Sequence, residues 1–87
     1  MKIREGFILR KIGEDIIVVP VGKASADFHG MIKLNNTAAD IWNCLANEKS
    51  ENEIVDFLLE KYDVSQEDAI KAVKSTVETL EKAGVLV

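Results

Sequence analysis

Apolar residues recur along this chain with two different periods, and the change falls at Asn35. Before it they come in short β-rich runs. Residues 6–12 (Gly-Phe-Ile-Leu-Arg-Lys-Ile) and 15–21 (Asp-Ile-Ile-Val-Val-Pro-Val) are two such runs, split by Gly13-Glu14. A Gly-X pair between β-rich runs predicts a hairpin with a type II′ turn. Pro20 has no N–H to give to a ladder, so it belongs at the end of its strand or at a bulge. A connection rich in small residues covers 22–30. Met31-Ile32-Lys33-Leu34 then predicts a short third strand, with Ile32 and Leu34 on one face and Met31 and Lys33 on the other.

From Asn35 onward the period is 3.6. Ala38, Ile41, Trp42, Leu45 and Ala46 share one stripe and predict a first helix. Two start signals compete for it: Asn35 or Asn36 as N-cap, or Thr37 to Asp40 as a capping box. Asn47 is its stop. Ser50-Glu-Asn-Glu53 is a capping box opening a second helix, with apolar positions at Ile54, Val55, Leu58 and Leu59 and an end near Tyr62. Ser65-Gln-Glu-Asp68 starts a third, with Val64 placed to staple its first turns. That helix runs to about Ala83, and Gly84 is its left-handed stop. Val85-Leu86-Val87 follows as an extended apolar tail.

Three strands followed by three helices predict an α+β fold. The helices cover one face of a three-stranded antiparallel sheet, in a winged-helix-like arrangement. Residues 1–87 read as a single domain. A sheet this small has two edges, and each must be covered or used.

Composition supports a packed domain. The 87 residues are 47% apolar and 30% charged, too apolar for a disordered chain. No apolar run approaches the roughly 18–20 residues of a membrane span. The start, Met-Lys-Ile-Arg-Glu-Gly, has charge but no apolar segment behind it, so no secretory signal is expected. The single cysteine, Cys44, cannot form an internal disulfide, and so small a chain outside the cell would usually need one. The expected location is cytoplasmic, with no membrane partner.

Charge narrows the partners. Residues 1–34 carry six basic and four acidic residues; residues 35–87 carry five basic and eleven acidic. A nucleic-acid surface groups Lys and Arg on one helix face. Here the helical half is the acidic half, so no nucleic acid is expected.

Catalytic chemistry has little to work with. One His (His29) and one Cys (Cys44), far apart in sequence, make neither a nucleophile–base set nor a metal cluster. Gly22 and Gly30 are eight apart and form no phosphate loop. The acidic residues read as solvated helix faces and caps. The chain is therefore expected to be no enzyme and to hold no metal or cofactor. His29 beside Gly30 reads as a loop residue.

A binding surface remains. On the third helix Ile70, Val73, Val77 and Leu80 form the apolar stripe, and Ala69, Ala72, Thr76 and Ala83 a stripe of small residues beside it. Small residues there either pack under a neighbouring element or let another chain come close.

These segments together resemble the PqqD family, the small peptide chaperones also called RiPP recognition elements. The best piece is Gly30-Met-Ile-Lys-Leu-Asn-Asn-Thr-Ala-Ala-Asp-Ile-Trp42, similar to the family's strand-then-"LN…iW" turn into the first helix. Glu53-Ile-Val…Leu58-Leu-Glu-Lys-Tyr62-Asp-Val64 and Val73…Val77…Leu80…Gly84-Val-Leu86 also fit. The resemblance implies a domain that holds the leader segment of a ribosomally made precursor peptide and delivers it to a modifying enzyme, often a radical S-adenosylmethionine protein. The leader would add as a strand beside the third strand, in a groove walled by the third helix. This puts Met31, Ile32, Lys33 and Leu34 at the pairing edge and Ala69, Ala72, Val73 and Thr76 on the wall. Thr76 departs from the bulky apolar residue often found there. Lys33 either guards the edge against aggregation or meets an acidic leader side chain. Two rivals are a winged-helix DNA-binding or transcription-associated module, which the element order permits, and an adaptor that pairs with itself as a homodimer.

Overall fold

The computed structural model describes residues 2–22 and 32–86. Among these, three strands precede three helices: β1 (Phe7–Ile12), β2 (Asp15–Pro20), β3 (Ile32–Leu34), α1 (Asn36–Ala46), α2 (Glu51–Lys61) and α3 (Gln66–Lys82). The expected α+β order is the order found.

The sheet runs β1-β2-β3 and is antiparallel throughout. Ile12 faces Asp15 across the hairpin, so Gly13-Glu14 is a two-residue turn. Gly13 has φ +62°, as the first position of a II′ turn requires. A Cβ there would meet nothing within 4 Å, so glycine serves the dihedral and not the space. Pro20 is the last residue of β2, where its missing N–H costs no ladder bond. Val18 faces Leu9 on one side and Ile32 on the other, and is fully buried.

Local signals set each helix start. Asn35 caps α1: its Oδ1 accepts from the Ala38 N–H at 2.7 Å. That resolves the competition, and Asp40 is free to bond elsewhere. Ser50 and Glu53 form the reciprocal box on α2, at 3.2 and 3.0 Å. Ser65 accepts from the Asp68 N–H at 3.1 Å and caps α3. Val64 stays 42% exposed, so little of it is available to staple that first turn. Gly84, at φ +79°, ends α3 in the left-handed region.

The core lies between the sheet and the helices. Ile41, Leu45, Ile54, Leu58, Val73, Leu80, Val18 and Val85 are its largest fully buried side chains. Burying each stabilises the fold by about 1.5–3 kcal/mol. Ala46, expected on the buried stripe of α1, is exposed; Ala39 and Cys44 are buried instead. The tail is held too. The Arg4 N–H donates to the Val85 carbonyl at 2.8 Å, and Ile3 bridges Leu86 in antiparallel fashion. Among the described residues no helix is long and apolar enough to cross a membrane.

Candidate functional site

β3 pairs only with β2, through Ile16↔Leu34, Ile17↔Lys33 and Val18↔Ile32. Its other side has no strand partner among the described residues. Ile32 and Leu34 turn into the core, so Lys33 projects from the opposite face of the sheet. There its Nζ reaches Asp15 Oδ1 at 3.0 Å.

Beside this edge lies a groove of about 180 Å³, lined by Lys33 and Leu34 of β3, Asn35 and Ala38 at the start of α1, and Ser75, Thr76 and Thr79 of α3. Three elements make it. β3 ends at Leu34, the cap at Asn35 turns the chain at once into α1, and α3 packs across α1. The wall on α3 is polar and low. Thr79 donates its hydroxyl to the Ser75 carbonyl at 3.0 Å, Thr76 is half-buried and Ser75 is exposed.

The sequence-derived residues divide. Lys33, Leu34 and Thr76 line the groove, and Ile32 is in the same strand. Ala72 is half-buried on the flank of α3, packed against the core. Ala69 and Val73 are each 1% exposed and belong to the core cluster rather than to an exposed wall. The reason is angular: four residues turn a helix by about 400°, so 69, 73, 77 and 80 share the buried arc. Met31, His29 and Gly30 lie outside the described residues. Asn35, Ala38, Ser75 and Thr79 line the groove without having been singled out as binding residues. The signal for them was present: 72, 75, 76 and 79 share the arc next to the buried one.

A second polar constellation joins α1 to α2. Tyr62 Oη donates to Asp40 Oδ2, and Lys61 Nζ sits 3.0 Å from Asp40 Oδ1. The Lys61 ammonium also lies 5.9 Å from the Phe57 ring centre and 5.6 Å from that of Tyr62. The hydrogen bond to Asp40 pushes the Tyr62 phenol and the Lys61 ammonium above their ordinary values. Two roomier hollows lie elsewhere. One, about 270 Å³, is bounded by Cys44, Lys49, Glu53, Asp56, Phe57 and Glu60; the other, about 460 Å³, runs along Gln66, Ile70 and Lys74. Neither has a strand residue among its described lining residues. Burial pushes the Cys44 thiol up, helped by the nearby Asp40 charge, so it stays protonated and unreactive at neutral pH. Among the described residues no three His, Cys, Asp or Glu side chains gather to hold a metal ion.

The family model for coenzyme PQQ synthesis protein D (PqqD) matches residues 15–86. The chain belongs to the PqqD family. Solved structures of other proteins superpose closely on it. A structure of TbiB1 in complex with the TbiA(beta) leader peptide has TM-score 0.78 at 20% identity, covering 99% of this chain and 94% of that one. A structure of lasso peptide synthetase B1 complexed with the leader peptide has TM-score 0.78 at 21% identity, covering 99% and 95%. They share the fold of three antiparallel strands followed by three helices. No curated protein sequence matches the chain.

Proposed function

We propose that this PqqD-family chain is a non-catalytic peptide chaperone. It binds the leader segment of a ribosomally synthesised precursor peptide by strand addition to β3 and presents it to a modifying enzyme of the radical S-adenosylmethionine type. The carrying observation is the edge of β3, without a strand partner among the described residues, beside a groove walled by α3. An unpaired edge offers backbone groups to an extended peptide, and a neighbouring groove receives its side chains. Support also comes from the two structural neighbours, each a complex with a leader peptide.

Magnitudes decide what the groove must do. Successive residues of a strand turn their backbone groups to alternate sides. Three residues therefore offer only about two to four groups outward, worth roughly 0.5–1.5 kcal/mol net per bond. Ordering a disordered leader costs about 2–5 kcal/mol or more. Pairing with Ile32, Lys33 and Leu34 does not clearly exceed that cost. Side chains seated against Thr76 and Ala72, and contacts from the neighbouring Met31, supply the surplus. Ala69 and Val73 act from behind, fixing the position of α3 against the core.

The DNA-binding reading has less support. On α3, Lys71 pairs with Glu67 at 3.4 Å and Lys82 with Glu78 at 2.9 Å, so their charges are locally offset.

The test is a titration of isotope-labelled protein with the synthetic leader of its cognate precursor. Amide signals of residues 32–38 and 72–79 are expected to shift, with those of β1 unmoved. Shifts confined to α2, or none at all, would overturn the reading.

A further inference from the structure

We infer that the groove selects a leader carrying an aspartate or glutamate at the residue that sits over Asn35; this rests on the leader-binding reading above. The groove is not the apolar slot that strand addition alone would want. Of its seven described lining residues only Leu34 and Ala38 are apolar. The other five are polar, and several of their donors are unspent. Asn35 Oδ1 is committed to the Ala38 N–H at 2.7 Å, which fixes which end of the amide is oxygen. Its Nδ2 then carries two N–H donors with no protein partner among the described residues, on a residue that lines the groove. The Ser75 and Thr76 hydroxyls across the groove are likewise without a protein partner. The Thr79 hydroxyl, by contrast, is spent on the Ser75 carbonyl at 3.0 Å. Among the described lining residues there is no carboxylate, in a chain whose net charge is −4. The charged residue among them, Lys33, turns its ammonium to Asp15 on the other face of the sheet, so the donors left to the groove are neutral.

A carboxylate meets this arrangement best. It is an acceptor only, with about four lone-pair sites, and bonds from neutral donors to it are stronger than those to an amide oxygen. An apolar side chain would leave the Asn35 amide unsatisfied once the peptide shuts out water. The site thus reads one feature of the leader that backbone pairing cannot read.

The test uses Asn35→Asp. Aspartate caps a helix as well as asparagine does, so the fold and thermal midpoint are expected to hold. The variant replaces the free amide with negative charge. Affinity for the cognate leader peptide is measured calorimetrically for wild type and variant, against the leader and versions with each Asp or Glu changed singly to Asn or Gln. At one position the acid-to-amide change is expected to weaken wild-type binding by roughly five- to tenfold. Asn35→Asp is expected to weaken binding of the acidic leader by as much, and to bind the amide version at that position better than the acidic one. If every acid-to-amide change leaves affinity within about twofold, or if a leader with no acidic residue binds in the groove as tightly, the inference falls while leader binding stands. If wild type binds no form of the leader, the functional reading falls with it.

Discussion

Two polar clusters sit little more than a turn apart on one helix, on different faces, and do different work. Within α1, Asp40 is met by Tyr62 and Lys61, and the three satisfy one another. At the N-cap of α1, Asn35 faces Ser75 and Thr76 across an open groove with donors to spare. Both consist of ordinary polar residues on half-exposed surface. The closed set fastens α2 to α1; the open set is held apart by the backbone and has somewhere to put a guest. On the leader-binding reading, what separates a structural cluster from a binding one is whether its hydrogen-bonding capacity is already used.

That contrast is open to direct attack. The largest effect is expected from Thr76→Trp, which fills the groove: leader affinity should drop by at least about tenfold, with the thermal midpoint nearly unchanged. Calorimetry beside a melting curve checks both. A variant that melts early but binds normally would reverse the assignment of Thr76.

Tyr62→Phe addresses the closed cluster. Losing a hydrogen bond to a carboxylate at a partly exposed site should cost about 1–2 kcal/mol, or roughly 4–16 °C in midpoint for a domain of this size. Leader affinity should not move. The pH profile gives a second signature. Because the folded pKa of Tyr62 is raised above its ordinary 10.0, its contribution is complete below that value and is lost as pH rises through the folded one. Wild type should therefore lose stability above pH 10 faster than Tyr62→Phe. Parallel alkaline melts would show the cluster to be idle.

Ser50→Ala should cost about 1 kcal/mol through the lost cap. It should also make the acid limb of the stability curve somewhat shallower. Bonds from the Ser50 backbone N–H and, second, its hydroxyl hold Glu53 below its ordinary 4.5, so its contribution is present above that pH and lost as pH falls through the lowered value; alanine keeps the backbone bond and removes only the hydroxyl's share. Chemical denaturation at several pH values between 3 and 6 would test it. The smallest change is Lys33→Ala: its ion pair with Asp15 is exposed on both sides, and about 0.2–1 kcal/mol is at stake.

Much of the fold was legible because its signals are local. The Gly13 turn, the Ser50–Glu53 box, the Asn35 and Ser65 caps and the Gly84 stop each depend on residues within a few positions. The edge position of β3 was legible through a family resemblance, since a strand's place in a sheet depends on distant partners. The groove was only half legible. Thr76 and Leu34 were placed at it, but Ala69 and Val73 were assigned to the wall and lie in the core. A stripe of small residues does not say on its own where burial stops. Asn35 was read for what its oxygen does to the helix. Its place beside Ser75 and Thr76 appears only when α3 is laid beside the end of β3.

The brevity of β3 has a last consequence. A guest aligned along three residues gains almost as much when displaced by two, since side chains return to the same face at that period. Backbone pairing on so short a berth cannot by itself hold alignment. On the proposed reading, the pocket at Asn35 and Thr76 would act as an index mark. By admitting one particular side chain, it would fix how much of the precursor trails beyond its carrier, and so which residue arrives at the enzyme's reach.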